Sequence, residues 1–333
     1  MTIDEWRTGW RMAVVAMVCL LAGVWFAPAM AQEPAPPAQP ADGPGGSGYA
    51  HAAVATERVG DLPTGEWVFV PEGVADAVRA EMPVVLLLHG FGATDPQTYR
   101  GWITHLVRSG NVVVYPDYQP EGFLVFDQAA FVENMVAGTE RAFDQAGLDP
   151  DAIHVVGHSL GAVIGVAAIG EGPDGGLPPV ASLTLVAPGG CSTCGSTSGF
   201  GIPLPETLEV PAGMLVHAVT GSDDAIVGDG DARAIWSRLE DIPAGQKRFV
   251  DVRSDGHGEP VLVADHLFVQ SDGFGSGVDA LDWFGAWRPL DALIACAETG
   301  ELCEVALGTD AEALFMGEWS DGTPVAPMVV VDR

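Results

Sequence analysis

Six short runs along the chain are apolar at successive positions rather than at alternate ones. They are PVVLLLHG (83–90), NVVVYPDY (111–118), AIHVVGHS (152–159), VASLTLVAP (180–188), GMLVHAVTG (213–221) and KRFVDVRS (247–254). Valine and leucine without polar alternation are what strands covered on both faces require. Longer segments with a helical rhythm lie between them. QTYRGWITHLVRSG precedes the second run. FDQAAFVENMVAGTERAFDQAG precedes the third, with Val132, Met135, Val136, Thr139, Phe143 and Ala146 near one face. DARAIWSRLE and VDALDWFGAWRPLDALIACA supply two more. Alternation of this kind predicts an α/β fold, a mostly parallel central sheet with helices on both faces. Reactive groups in such sheets collect at the carboxyl ends of strands, which aligns HGFG, GHSLG and GSDDAIVG along one edge.

The start of the 333-residue chain does not belong to this pattern. Arg7 and Arg11 precede the apolar stretch Met12–Phe26, and APAMAQEP follows with small residues at Ala29 and Ala31. That is the order of a secretory signal peptide spanning residues 1–31, with cleavage expected between Ala31 and Gln32. The stretch is shorter than the ~20 residues that span a bilayer, which favours a leader over a retained anchor. No stable membrane span is expected after cleavage, and the mature chain is expected to be secreted or periplasmic. Residues 32–48, QEPAPPAQPADGPGGSG, are too poor in apolar side chains to build a core and are expected to be a disordered linker. Residues 49–333 remain for one large domain.

Charge narrows the partners. Acids outnumber bases by 45 to 14, and the net charge of −31 repels nucleic acid and anionic lipid. Four cysteines follow the expected cleavage point: Cys191, Cys194, Cys296 and Cys303. An even number in an exported chain predicts disulfides, with Cys191–Cys194 and Cys296–Cys303 as local bridges and cross-pairing as the alternative. CAETGELC is spaced too widely for a usual zinc knuckle, and PGGCSTCGSTSG is a loop rather than the helix start of a redox motif.

Gly157-His158-Ser159-Leu160-Gly161 matches G-x-S-x-G between a predicted strand and a predicted helix. There the glycines admit a tight turn that lifts the serine hydroxyl above the sheet. A serine becomes nucleophilic only when a base takes its proton and a carboxylate orients that base. With the chain order serine, acid, histidine, the turn after GMLVHAVTG offers Asp224, with Asp223 as the second choice; Asp229 and Asp231 are read as capping the next helix. His257, in a Gly-His-Gly turn directly after KRFVDVRS, is expected to be the base, with His266 as the alternative. His217, mid-strand, is read as a core histidine. Oxyanion donors are expected from the backbone N–H groups of Phe91 and Leu160. His89 is read as structural, and Trp102, Phe123, Phe126 and Phe274 as core or pocket wall.

With these pieces in place, residues Glu66 to Ala297 resemble the α/β-hydrolase superfamily. Within it they resemble the exported esterases related to platelet-activating-factor acetylhydrolases, cutinases and bacterial polyester hydrolases. The elbow GHSLG, the loop HGFG and the turn GSDD carry the general likeness. KRFVDVRSDGHGEP carries the narrower one, since polyester hydrolases place their catalytic histidine just after a strand that begins Lys-x-Phe. The resemblance implies serine-dependent hydrolysis of a small or polymeric ester, without a metal or organic cofactor; the chain is expected to be monomeric. The chain departs from that group in the insert after His257, in CSTC and in the C-terminal GEWSDGTPVAPMVVVD, so the substrate's identity does not carry over. Amide hydrolysis with the same residues and a non-catalytic binding role remain open.

Overall fold

The computed structural model describes residues 33–61, 63–120, 128, 130–170, 176–195, 201–272 and 277–331. The segment expected to be a signal peptide lies outside them. So do Phe123, Phe126 and Phe274.

Each of the six apolar runs holds a strand, and three further strands flank them. In chain order these are β1 (Val54–Val59), β2 (Glu66–Pro71), β3 (Val84–Leu88), β4 (Val112–Pro116), β5 (Ile153–His158), β6 (Val180–Val186), β7 (Leu215–Gly221), β8 (Lys247–Val252) and β9 (Val329–Val330). Among the described residues they form one sheet in the order β1-β2-β4-β3-β5-β6-β7-β8-β9. From β4 through β8 every pairing is parallel. The pairings β1–β2, β2–β4 and β8–β9 are antiparallel. β1 and β9 are edge strands, and their weaker apolar signal has that cause: β1 exposes Thr56, Glu57 and Arg58, and β9 is two residues long.

Among the described residues, the faces are covered chiefly by α1 (Arg100–Arg108), α2 (Ala130–Ala146), α3 (Leu160–Gly170), α4 (Gly230–Ser237) and α5 (Arg288–Thr299). Alternate strand residues separate into two cores, as a pleated sheet requires. Leu86, Leu88, Val155, Leu183 and Val216 pack with Phe131, Met135, Ile164 and Ile235 from α2, α3 and α4. Val85, Leu87, Val156, Val219 and Val250 pack with Trp102, Leu106, Trp287 and Leu290 on the opposite face. Trp102 is fully buried in this second core rather than lining a pocket. α3 is apolar all round because it is covered all round; every residue but Gly170 is buried. The segment read as one helix before the C-terminal region is π-wound over Leu281–Trp287 and α-helical after it. Pro289, at the start of α5, has no N–H to give the preceding turn, so regular winding cannot run through it.

The stretch expected to be a disordered linker is a correction. From Pro34 onward it has no regular structure, yet it is fastened to the domain. The carbonyl of Pro34 accepts from Glu259 N–H, and Ser320 N–H donates to the Ala35 carbonyl. Gly45 N–H donates to Asp291 Oδ2 at 2.7 Å. Composition excluded a core of its own, but not a strap whose backbone groups find partners on a folded surface. No helix among the described residues is long and apolar enough to cross a membrane.

Candidate active site

The turn between β5 and α3 is too tight for side chains at its flanks. A Cβ on Gly157 would stand 2.4 Å from Ala162 Cα, and one on Gly161 2.3 Å from the Leu88 carbonyl oxygen. Between them Ser159 is held at φ 55°, a left-handed conformation that costs a non-glycine residue free energy. Its N–H donates to the Val186 carbonyl, which ties the elbow to the end of β6. Leu160 is the first residue of α3, so its N–H has no acceptor within the helix.

Asp224 follows β7 in a turn closed by its own N–H on the Gly221 carbonyl. One carboxylate oxygen, Oδ1, accepts the N–H groups of Ile226 and Val227, each at 2.9 Å. The other, Oδ2, accepts from His266 Nδ1 at 2.7 Å. Burial alone would push the Asp224 carboxyl up; the His266 bond and the two backbone donors outweigh it and hold the group below the ordinary value of 3.8. On its far side His266 Nε2 lies 2.9 Å from Ser159 Oγ. Asp223, the second choice, is exposed. Asp231, read as a helix cap, is buried and accepts the N–H groups of Gly190 and Cys191 through Oδ2, fixing the CSTC loop. Asp229 does stand at the start of α4 but makes no side-chain cap; it pairs with Arg233 instead.

The expected base, His257, is not in this cluster. Its Nε2 meets Asp321 Oδ2 at 2.9 Å, and both side chains are more than a third exposed. The reason is the path of the chain after β8. Asp255 and Leu262 exchange both backbone hydrogen bonds, at 2.8 and 2.9 Å, closing a loop with His257 near its tip. The returning segment runs back to the sheet edge, where the Ala264 carbonyl accepts from Asp223 N–H and Ala264 N–H reaches Ser254 Oγ. The next turn therefore presents His266, the alternative, beside Asp224. Glycines on both sides of His257 mark an exposed turn tip as well as a flexible site loop, and this signal pointed to the first of these readings.

The loop after β3 approaches the elbow closely. A Cβ on Gly90 would meet His158 Nδ1 at 3.2 Å and Ser159 Cβ at 3.3 Å. Phe91, next along, is 41% exposed and therefore at the mouth of the site. The loop is braced from β4 and the residues just after it: Tyr118 O–H donates to the His89 carbonyl, Tyr115 O–H to Ala93, and Gln119 Oε1 accepts from Gly92 N–H. His89 stacks on Tyr118 with 4.0 Å between ring centroids. Burial drives its pKa down to about 4, and its neutral Nδ1–H donates to the Gly90 carbonyl, as befits a structural histidine. His217 is buried against the Arg248 guanidinium in the sheet, also a core role.

Both predicted cysteine pairs are within disulfide distance, Cys191–Cys194 with Cα atoms 5.3 Å apart and Cys296–Cys303 with 4.8 Å. A cavity of about 340 Å³ lined by Ile169, Pro178, Val180 and Pro211 opens where α3 ends and β6 begins. That is the opposite end of these elements from Ser159, so it takes no part in the site.

A parallel sheet with a strained serine between strand and apolar helix, and polar groups gathered at the strand ends, defines a hydrolase of the α/β type. The comparison with family models agrees: residues 85–330 match the alpha/beta hydrolase family, and the chain belongs to it. Among solved structures the chain is similar to MGS-M1, an alpha/beta hydrolase enzyme from a Medee basin deep-sea metagenome library. The identity is 15%, the TM-score 0.47, and the match covers 62% of this chain and 84% of that one. No curated protein matches the sequence.

Proposed function

We propose that the chain is an exported serine hydrolase of carboxylic esters, with Ser159 as nucleophile, His266 as base and Asp224 as the acid that orients it. The observation that carries this reading is the unbroken line Asp224 Oδ2, His266 Nδ1, His266 Nε2, Ser159 Oγ, with spacings of 2.7 and 2.9 Å. The carboxylate fixes the tautomer: Nδ1 carries the proton donated to Asp224, which leaves Nε2 free to accept the Ser159 proton. Ser159 Oγ then attacks the ester carbonyl, and the backbone N–H groups of Leu160 and Phe91 stabilise the oxyanion. His266 returns the proton to the leaving alcohol, giving an acyl-enzyme. In the second half water loses its proton to His266, attacks the acyl carbon, and Ser159 Oγ leaves with that proton. Export is supported by the leader-like N-terminus and the two cysteine pairs. The likeness of GHSLG, HGFG and GSDD to the acetylhydrolase, cutinase and polyester-hydrolase group supports an ester as the bond cleaved.

The test is a series of nitrophenyl esters of increasing acyl length beside a nitroanilide, together with labelling by a fluorophosphonate. Ester turnover and labelling are expected for the native chain, and neither for Ser159→Ala. Faster anilide than ester turnover would replace the ester reading, and labelling that survives Ser159→Ala would overturn the nucleophile.

A further inference from the structure

The residue before the nucleophile, His158, is fully enclosed, yet both of its ring nitrogens are engaged. Nε2 lies 2.8 Å from the backbone carbonyl oxygen of His266. Nδ1 lies 2.7 Å from Tyr99 Oη, which in turn accepts from Gly90 N–H at 3.0 Å. The side chain is 2% exposed, and its interplanar angle to the His266 ring is 40° with centroids 4.9 Å apart.

Only one proton arrangement satisfies all of these groups. A carbonyl oxygen can only accept, so His158 Nε2 carries a hydrogen and donates it to His266. A neutral imidazole then has a bare Nδ1, which accepts from the Tyr99 hydroxyl. Tyr99 Oη, having given its proton, takes the Gly90 N–H and is also met by the Gln270 side chain. The imidazole must be neutral for this, and it is: burial, with the neighbouring His266 adding to it, drives its pKa down to about 3. Asp224 faces the ring with the opposite influence, and His89 adds a smaller downward one.

We infer that His158 is a positioning residue: its Nε2–H holds the backbone of His266 in place against Ser159, and through Tyr99 it ties the base to the Gly90–Phe91 loop. The inference rests on the ester-hydrolase reading given above. His266 arrives on a loop rather than on a strand, so its side-chain bonds to Asp224 and Ser159 leave its main chain to be fixed by something else. His158 is suited to that task because the elbow fixes it within one residue of the nucleophile. Any displacement of the base relative to Ser159 Oγ must therefore stretch a buried hydrogen bond. A misplacement of about 1 Å in such a constellation costs on the order of 100-fold in rate.

The test uses the full chain and p-nitrophenyl butyrate. His158→Phe keeps the ring volume and removes both hydrogen bonds; His158→Gln keeps a side-chain N–H that can reach the His266 carbonyl. Expected are a kcat lower by roughly 10- to 100-fold in His158→Phe at nearly unchanged KM, and at least partial recovery of kcat in His158→Gln. Should His158→Phe fail to fold, Tyr99→Phe removes the donor to Nδ1 from within an intact aromatic core. It should lower kcat several-fold, again without raising KM. A kcat for His158→Phe close to that of the native chain, His158→Gln as slow as His158→Phe, or an unaffected kcat in Tyr99→Phe beside a His158→Phe that does not fold overturns the inference. The underlying reading is judged separately by Ser159→Ala and His266→Ala: if these stay active, the catalytic assignment fails whatever His158 variants do.

Discussion

His257 and His266 lie on one loop between β8 and the C-terminal region, each paired with an aspartate, and their surroundings are opposites. The His266–Asp224 pair is 6% and 0% exposed and has Ser159 at its far end. The His257–Asp321 pair is 37% and 42% exposed and ends in solvent. Imidazole–carboxylate pairing by itself therefore says nothing about chemistry here. What separates the two is whether the second nitrogen meets a group with a proton to give. The loop's closure at Asp255 and Leu262 makes the difference, because it turns the first histidine outward and returns the second to the sheet edge.

The sharpest way to break this contrast is to remove each ring in turn. His266→Ala is expected to lower ester turnover by about 10⁴-fold or more, since members of such a triad act as a unit. His257→Ala is expected to stay near native turnover. Steady-state kinetics on both, with folding checked by circular dichroism, decides it; a dead His257→Ala beside an active His266→Ala would reverse the assignment. Next in size is the partner aspartate. Asp224→Asn should cost about 10⁴-fold: the amide oxygen stays with the Ile226 and Val227 N–H groups, so the amide NH2, a donor, faces His266 Nδ1 and favours the wrong tautomer. Asp321→Asn should leave kcat unchanged.

Smaller effects concern stability. Gly161→Val places a side chain against the Leu88 carbonyl, where a Cβ alone would already be at 2.3 Å. It should lower Tm markedly, by an amount corresponding to about 3 kcal/mol or more. Calorimetry showing native Tm would contradict the elbow geometry on which the buried histidine depends. A chain beginning at Gly48 loses the strap's bonds to Glu259, on the exposed histidine's loop, to Ser320, beside its partner Asp321, and to Asp291 on α5. Tm should fall by roughly 5 °C while turnover stays of the same order, since net contributions run near 1 kcal/mol per hydrogen bond.

The smallest effect is in the acid response. Both aspartates are held below the ordinary 3.8. His266 and two backbone N–H groups outweigh burial at Asp224; the His257 and Thr323 bonds bring Asp321 to about 2. A carboxylate lowered on folding contributes stability that is present above its unfolded value and lost as pH falls through the folded one. Replacing either by asparagine should therefore flatten the fall of Tm below pH 4. The change should be clear for the buried Asp224 and close to undetectable for the exposed Asp321, where solvent screens the pair.

Much of this was legible in the sequence alone. Consecutive apolar residues marked β3 to β8 because strands covered on both faces need no polar positions. The elbow was legible because Gly157 and Gly161 have steric reasons that act over five residues. Asp224 was legible because its turn follows directly on β7. The strands β1 and β9 were not, since an edge strand half open to water tolerates Glu57 and Arg58 as readily as a loop does. The strap was not either: its order comes from backbone groups meeting partners more than 200 residues away in the chain, as Gly45 meets Asp291.

What short-range physics controls could be read from the residues alone: the alternation that builds the sheet, the tight serine turn, the aspartate turn that follows β7, and the cysteine pairs three and seven residues apart. Tertiary structure decided which histidine faces the serine. Two candidates nine residues apart both follow Asp224 in the chain, local signals favoured the first, and only the closure of one loop, set by contacts of Asp255 with Leu262, Trp319 and Ala326, turns the second inward.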